Sequence, residues 1–344
     1  MSDRADFLRR AGIGAAGVSL GQLLGPAAAF AGEGGGDFPA HPRWRFVFVS
    51  HHTLDPLFVA TQFGAQDAAA LVRCSTQWTG SPRGDLPQTV DALRAAIAGK
   101  ADGIAVSVMD RRAFAPQLEA ARKAGIPVVA FNLDPGAGQG RLAYVGENSY
   151  AAGLRAGAEI ARIAAGRDLV LPAPERPQPW IERRLDGVVA GLARAPKPPR
   201  GTVMRLKGTP KQQQGQIEAA LKRRPGARGL CAVDGNGTLA AGTVIKGLGL
   251  RAKGFRGGGF DLLPPDLTLV SEGHIDFVVD QQAYVQGFAP VLQLFLARIS
   301  QGTVTPWDTE TSVVLRGEDV ERLVETKSRF EGSSSRHDYP LRRA

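Results

Sequence analysis

From Trp44 onward the chain alternates short apolar runs with stretches whose apolar residues recur at helical spacing. Arg45–Ser50 (RFVFVS), Leu71–Thr76, Gly103–Val108 (GIAVSV) and Ile126–Phe131 (IPVVAF) read as strands, and Leu57–Leu71, Gln88–Ala98 and Phe114–Lys123 as the helices between them. This rhythm predicts a parallel sheet covered by helices on both faces, because each parallel strand needs a crossover that buries its apolar stripe on the sheet. Leu142–Val145 is a short apolar run where that sheet would be complete.

After it comes an Ala-rich helix, Ser149–Ala164, and the alternation restarts. Its strands are Asp168–Leu171, Thr202–Leu206, Leu230–Val233, Gly257–Phe260 and Phe277–Val279, with helices Arg183–Ala193, Gln212–Arg223 and Thr238–Gly247. Tyr284–Gln301 is a long apolar helix and Ser312–Leu315 a late strand, while Pro172–Pro179 and Pro196–Pro199 read as loops. The fold class predicted is α/β, with two similar Rossmann-like lobes of three layers each. A chain of 344 residues has room for two such cores.

Residues 1–31 read as an export signal. A charged Asp3–Arg10 precedes a weakly apolar Ala11–Leu24 and an A-x-A stop at Ala29-Phe30-Ala31, which predicts cleavage after Ala31. Arg4-Ala5-Asp6-Phe7-Leu8-Arg9 is similar to a twin-arginine signal with Ala5 in place of the second arginine. No cysteine follows the cleavage point, so no lipid anchor is expected. Residues 32–43 read as a flexible leader and 329–344 as a polar tail.

Composition narrows the function. The formal charge is +9 and the pI about 9.9, but Lys and Arg are dispersed along the chain, so the reading is a basic solvated surface with no nucleic-acid partner. Cys74 and Cys231 show no metal spacing and sit in or beside apolar runs, as buried free thiols do. No nucleophile elbow, zinc-protease helix or phosphate loop is present, and the five histidines are scattered or, at His51-His52, adjacent and therefore pointing apart. No catalytic set, metal or cofactor is expected. Gly235-Asn236-Gly237-Thr238-Leu239-Ala240 fits a dinucleotide fingerprint, but it lies in the second half of a chain that begins with an export signal.

Binding chemistry is expected at strand ends, where open α/β sheets hold ligands. The residues there are polar in both halves: His51, Thr53 and Asp55; Ser107 and Asp110; Asn132 and Asp134; Asp234 and Asn236; Asp261; Asp280 and Gln281.

Several segments in this order resemble the periplasmic sugar-binding proteins of the ribose-binding type, the substrate-binding components of ABC importers with the type 1 periplasmic binding protein fold. They are Asp55-Pro56-Leu57-Phe58, Gly103-Ile104, Gly125-Ile126-Pro127-Val128-Val129, Val145-Gly146-Glu147-Asn148 with Gly153, Gly259-Phe260-Asp261, and Asp280 through Gly287. The resemblance covers about residues 44–325. It implies two lobes joined by a multi-strand hinge, 44–144 plus about 283–303 and 145–282 plus about 307–328. Crossings are expected near Ala143–Gly146, Gln281–Ala283 and Thr303–Trp307.

It also implies ligand contacts from Asp55, Phe58, Ser107 and Asn132 in the first lobe and Arg184, Asp234, Asp261 and Gln281 in the second. Carboxylates, amides and a guanidinium suit vicinal hydroxyls, and an aromatic face suits the C–H side of a sugar ring. Asn132-Leu133 stands where an aspartate–arginine pair is expected, with Asp134 taking over part of that role, and points to a different or larger ligand than ribose. Trp180 is a further lid or stacking residue; core packing accounts for it equally well. Trp78 is expected to pack.

The protein is thus expected in the periplasm as a monomer that is not an enzyme. It would close around a sugar-like ligand and serve an ABC permease and its ATPase. The same cleft would serve a sensor that reports a sugar, polyol, nucleoside or autoinducer to a chemoreceptor or kinase. Alanine at Asp261 or Arg184 is expected to abolish binding without unfolding the chain.

Overall fold

In the computed structural model, residues 40–134 and 136–325 are described; the expected export signal, most of the expected leader and the expected polar tail lie outside them. The first sheet is built from β1 (Arg45–Ser50), β2 (Ser75–Gly80), β3 (Gly103–Val106), β4 (Val128–Phe131), β5 (Ala143–Gly146) and β11 (Thr309–Glu310), in the order β11-β5-β4-β3-β1-β2 with every pair parallel. The second is built from β6 (Leu169–Pro174), β7 (Gly201–Leu206), β8 (Gly229–Cys231), β9 (Arg256–Phe260), β10 (Phe277–Asp280) and β12 (Val313–Arg316), in the order β12-β10-β9-β8-β6-β7. Only β12 runs antiparallel to its neighbour. In both sheets the strand order reverses beside the first strand, between β1 and β3 and between β6 and β8. That reversal opens a crevice at the carboxyl ends.

Helices cover both faces of each sheet. On the first, α1 (Leu57–Leu71) and α9 (Ala283–Ile299) enclose a core with Phe46, Phe48, Phe58 and Phe131. On its other face α2 (Leu86–Ala98) and α3 (Arg111–Lys123) bury Leu93, Phe114 and Leu118 against Val47, Val49 and Ile104. In the second lobe α4 (Ser149–Ala164) and α5 (Pro179–Ala193) lie on one face, and α6 (Pro210–Arg223), α7 (Gly235–Gly247), α8 (Pro264–Ser271) and α10 (Gly317–Glu325) on the other. Burial of β1 and β4 on both faces explains why they read as unbroken apolar runs.

Glycine sets the closest helix contacts. A Cβ on Gly287 of α9 would overlap the Thr61 backbone of α1, and one on Gly153 of α4 would overlap the Arg184 backbone of α5. The same device serves both lobes.

Several boundaries differ from the sequence reading. β2 occupies Ser75–Gly80 rather than Leu71–Thr76: α1 continues to Leu71, the chain turns at Arg73 with φ 51°, and the edge strand that follows is largely polar. Pro172 and Pro174 belong to β6, not to a loop. Val233 N donates to the Pro172 carbonyl, so the proline nitrogens face β8 beyond the last ladder pair, Val170–Leu230, where no N–H is needed. α8 was hidden by Pro264-Pro265, which opens the helix. The chain passes between sheets at Glu147–Asn148, Gln281–Gln282 and Thr311–Ser312. The third crossing lies beyond the expected 303–307 because Thr309 and Glu310 first pair with Val145 and Gly146.

Trp78 packs with Phe48, Phe58 and Phe131, ring centroids 5.6–6.0 Å apart. His41, at the end of the leader, stacks on Trp44. Both cysteines are free and buried.

Candidate functional site

A cavity of about 420 Å³ lies between the carboxyl ends of the two sheets. Of the ten residues singled out in the sequence, eight line it: Asp55, Phe58, Asn132, Trp180, Arg184, Asp234, Asp261 and Gln281. Ser107 and Asp134 do not. Ser107 is fully buried at the end of β3, where its N–H donates to the Val49 carbonyl of β1, and its Oγ lies 2.8 Å from His51 Nδ1, so it orients the imidazole that borders the cavity in its place. Asp134 is held by the Arg141 fork, which also binds Asp308, and faces a neighbouring cavity.

The first sheet presents its groups from the loops after β1 and β4. Leu57 N donates to Asp55 Oδ1 (2.9 Å), which directs that carboxylate over the start of α1. Asn132 adopts φ 60° immediately after β4, and its amide donates to Gln286 Oε1 of α9 (3.1 Å). Phe58, 1% exposed, meets the His51 ring edge-on at 5.5 Å, and Trp180 meets the same ring from the second lobe at 6.1 Å.

The second sheet presents three acidic or amide groups from strand ends. Asp234 caps α7, accepting from Gly237 N at 3.0 Å. Asp261 takes φ 68°, accepts from Gly235 N through Oδ2, and accepts from Gln281 Nε2 through Oδ1. The dinucleotide-like Gly235–Ala240 segment is therefore the capped start of α7, turned toward two carboxylates that would repel a pyrophosphate. Left-handed backbone at Asn132, Asp261 and Gln282, all non-glycine, concentrates local strain around the cavity.

Arg184 comes from one turn inside α5 and is 3% exposed. Its Nε and Nη2 both donate to Glu147 Oε1 (3.0 and 2.8 Å), Nη1 donates to the Val233 carbonyl (2.8 Å), and the guanidinium lies 4.2 Å over the Phe260 ring. The arginine is thus a clamp joining β5, β8 and β9 as well as a cavity donor.

Glu147 and His51 line the cavity as well: His51 is among the polar strand-end residues but outside the implied ligand set, and Glu147 falls in a segment that carries the resemblance without being read as a ligand group. Among the described residues Glu147 Oε2 is buried with no hydrogen-bond partner, and Arg184, which bonds only its Oε1, lies 37 residues further along the chain, so nothing local in the sequence pairs them.

Burial sets the protonation of the site. It pushes Asp234 up to about 6 and Asp55 above the ordinary carboxylate range, and raises Glu147 against the pull of Arg184. It lowers His51 to about 4, assisted by His52, so the imidazole is neutral at pH 7. With acceptors dominating, a neutral imidazole and a single buried guanidinium, the cavity suits a ligand rich in hydroxyl donors. Among the described residues there is no cluster of three metal-ligating side chains, and no helix long and apolar enough to cross a membrane.

Residues 46–298 match the periplasmic binding protein domain family. A xylose/arabinose-binding protein of Sulfolobus acidocaldarius is 35% identical over 318 residues, spanning 87% of this chain and 77% of the relative. Among solved structures, a sugar-binding protein of a sugar ABC transporter from Bacillus halodurans superposes with a TM-score of 0.73 at 22% identity, covering 81% of this chain and 99% of that one. A carbohydrate transporter protein from Acidothermus cellulolyticus, in complex with myo-inositol, superposes with a TM-score of 0.70 at 25% identity, covering 84% and 100%. The two doubly wound sheets, the three crossings between them and these matches together assign the chain to the periplasmic binding protein family, with the type 1 fold.

Proposed function

We propose that the protein captures a sugar between its lobes and presents the closed form to an ABC importer. The observation that carries this reading is one cavity that both lobes line with hydrogen-bonding groups, Asp55 and Asn132 from the first and Arg184, Asp234 and Asp261 from the second. A ligand touching both lobes stabilises the closed form by its differential affinity for the two states. The relatives' pentose and inositol ligands support a small polyhydroxylated molecule.

In this reading the ligand set is the eight lining residues together with His51 and Glu147, while Ser107 and Asp134 act from behind. The lobes follow the sheets, so that the first extends through Gly146 and regains Thr309–Glu310. Export to the periplasm through the 1–31 signal, action as a monomer, delivery to a permease driven by its ATPase, and binding without turnover complete it.

Thermal-shift and calorimetric titration of the purified protein against pentoses, hexoses, myo-inositol and nucleosides test the reading. A sugar or polyol is expected to bind with a dissociation constant on the order of micromolar, given several charge-assisted hydrogen bonds. Stabilisation by none of them overturns it.

A further inference from the structure

We propose that the cleft is built for a two-ring sugar, with one ring among Asp55, Asp234 and Asp261 and the second in an adjoining cavity against Trp180 and Tyr150. The inference rests on the sugar reading above and deepens it.

The adjoining cavity measures about 530 Å³ and shares a wall with the first: Asn132, Leu133, Glu147, Ser149 and Trp180 line both. The two spaces are contiguous, and each is of a size that takes a small ligand. Glu147 stands at the junction. Its Oε1 receives both Arg184 bonds, while Oε2, in a side chain only 2% exposed, has no donor from the protein. A buried carboxylate oxygen left without a donor is costly, and Oε2 is closed off from the cleft by protein, so a ligand hydroxyl at the junction meets that need when the Glu147 side chain turns toward it.

The second cavity also carries sugar-binding chemistry of its own. Tyr150, half-buried in the first turn of α4, has the Arg183 guanidinium 5.3 Å over its ring. The guanidinium covers one face of that ring and is thereby held as a planar donor for hydroxyls, while Trp180, which lines both cavities, offers an aromatic face to C–H groups, a pairing that fits a sugar ring. The acids nearby are already engaged: Asp308 is bound by Arg141 and Tyr144 N, and Glu310 accepts from Asn148 N and Ser312. They keep spare lone pairs for hydroxyl donors but repel an anionic second group. A neutral hydroxylated ring is therefore favoured over a sugar acid or a phosphorylated sugar.

Calorimetric titration of the purified protein with xylose and xylobiose, and with glucose and cellobiose, tests this. In at least one pair the disaccharide is expected to bind about tenfold tighter than its monosaccharide, the effect of one stacked ring plus one hydrogen bond. Tyr150→Ala and Arg183→Ala are each expected to shrink that ratio several-fold. Both side chains lie at the cavity rim rather than in a core, and a circular dichroism melt checks that each variant folds. Monosaccharides binding as tightly as disaccharides, or disaccharides excluded, overturns the two-ring proposal and leaves the sugar reading standing. An unchanged ratio in both variants overturns the placement of the second ring. No binding by any of the four overturns the two-ring proposal, while the sugar reading is decided by the wider panel above.

Discussion

Replacing Arg184 removes more than a ligand donor. Its guanidinium and the Glu147 carboxylate are 3% and 2% exposed and 2.8 Å apart, and the same arginine ties down the Val233 carbonyl and covers Phe260. Arg184→Met leaves Glu147 as an unpaired buried carboxylate, a defect that costs about 3–5 kcal/mol. For a domain pair of this size that corresponds to a melting temperature lower by roughly 10 °C at pH 7. The loss depends on pH with a definite sign. Burial already raises the folded-state pKa of Glu147, and losing Arg184 raises it further above the unfolded value. The carboxyl then protonates in the folded state as pH falls, so the deficit shrinks between pH 7 and 5. Adding Glu147→Gln to the variant removes the orphaned charge and is expected to recover most of the lost stability. Thermal melts of the three proteins at both pH values decide the matter. A wild-type melting temperature for Arg184→Met, or a double variant less stable than the single, refutes the clamp. For Arg184 the geometry thus predicts a loss of stability beside the loss of binding that the sequence alone suggests.

Two further outcomes follow from the same geometry. Asp234, raised to about 6 by burial, makes charge-assisted bonds to ligand hydroxyls through both oxygens only when ionised, so affinity is expected to fall several-fold from pH 7 to 5. Asp234→Asn keeps an N-cap acceptor for Gly237 and flattens that profile; a titration series in which the variant retains the wild-type slope assigns the pH dependence elsewhere. Gly287→Ala drives a methyl group into the Thr61 backbone and within 2.8 Å of Ala65 N, so α1 and α9 must part. A loss of about 1–3 kcal/mol is expected by urea unfolding. Gly215→Ala, on the exposed face of α6 with open space around it, is expected to gain about 0.5–1 kcal/mol, and equal midpoints for both variants contradict the packing argument.

The strands buried on both faces and the helices between them were legible because burial writes itself as apolar runs: VFV in β1 and VVAF in β4 have no polar face to alternate with. β2 was displaced for the opposite reason. Lying at the edge, it carries Ser75, Thr76, Gln77 and Thr79, and the apolar signal nearest to it belongs to the end of α1. Most of the cavity lining was legible too, since parallel topology sends every strand's carboxyl end to one side of a sheet. Which side chain at a strand end reaches the ligand was not. Ser107 and His51 follow neighbouring strands, and only their mutual hydrogen bond shows that the serine turns back to hold the histidine.

Glu147 shows where such reading stops for a deeper reason. Its segment was singled out, yet a glutamate before a helix reads as a cap or a surface charge, and here Asn148 is the cap. Its partner Arg184 lies on a different helix, and nothing in the sequence pairs them. Once they are paired, the carboxylate has one oxygen committed and one free, and that asymmetry is informative. A purely structural ion pair gains most when both oxygens are bonded, as in the forked Arg122–Glu119 and Arg162–Glu159 pairs of this same chain. Placing both Arg184 donors on Oε1 sacrifices that geometry at the most buried carboxylate of the cavity wall. The arrangement is accounted for if the Glu147 side chain turns toward the cleft when ligand fills it, so that Oε2 gains the donor it lacks while Oε1 keeps the arginine.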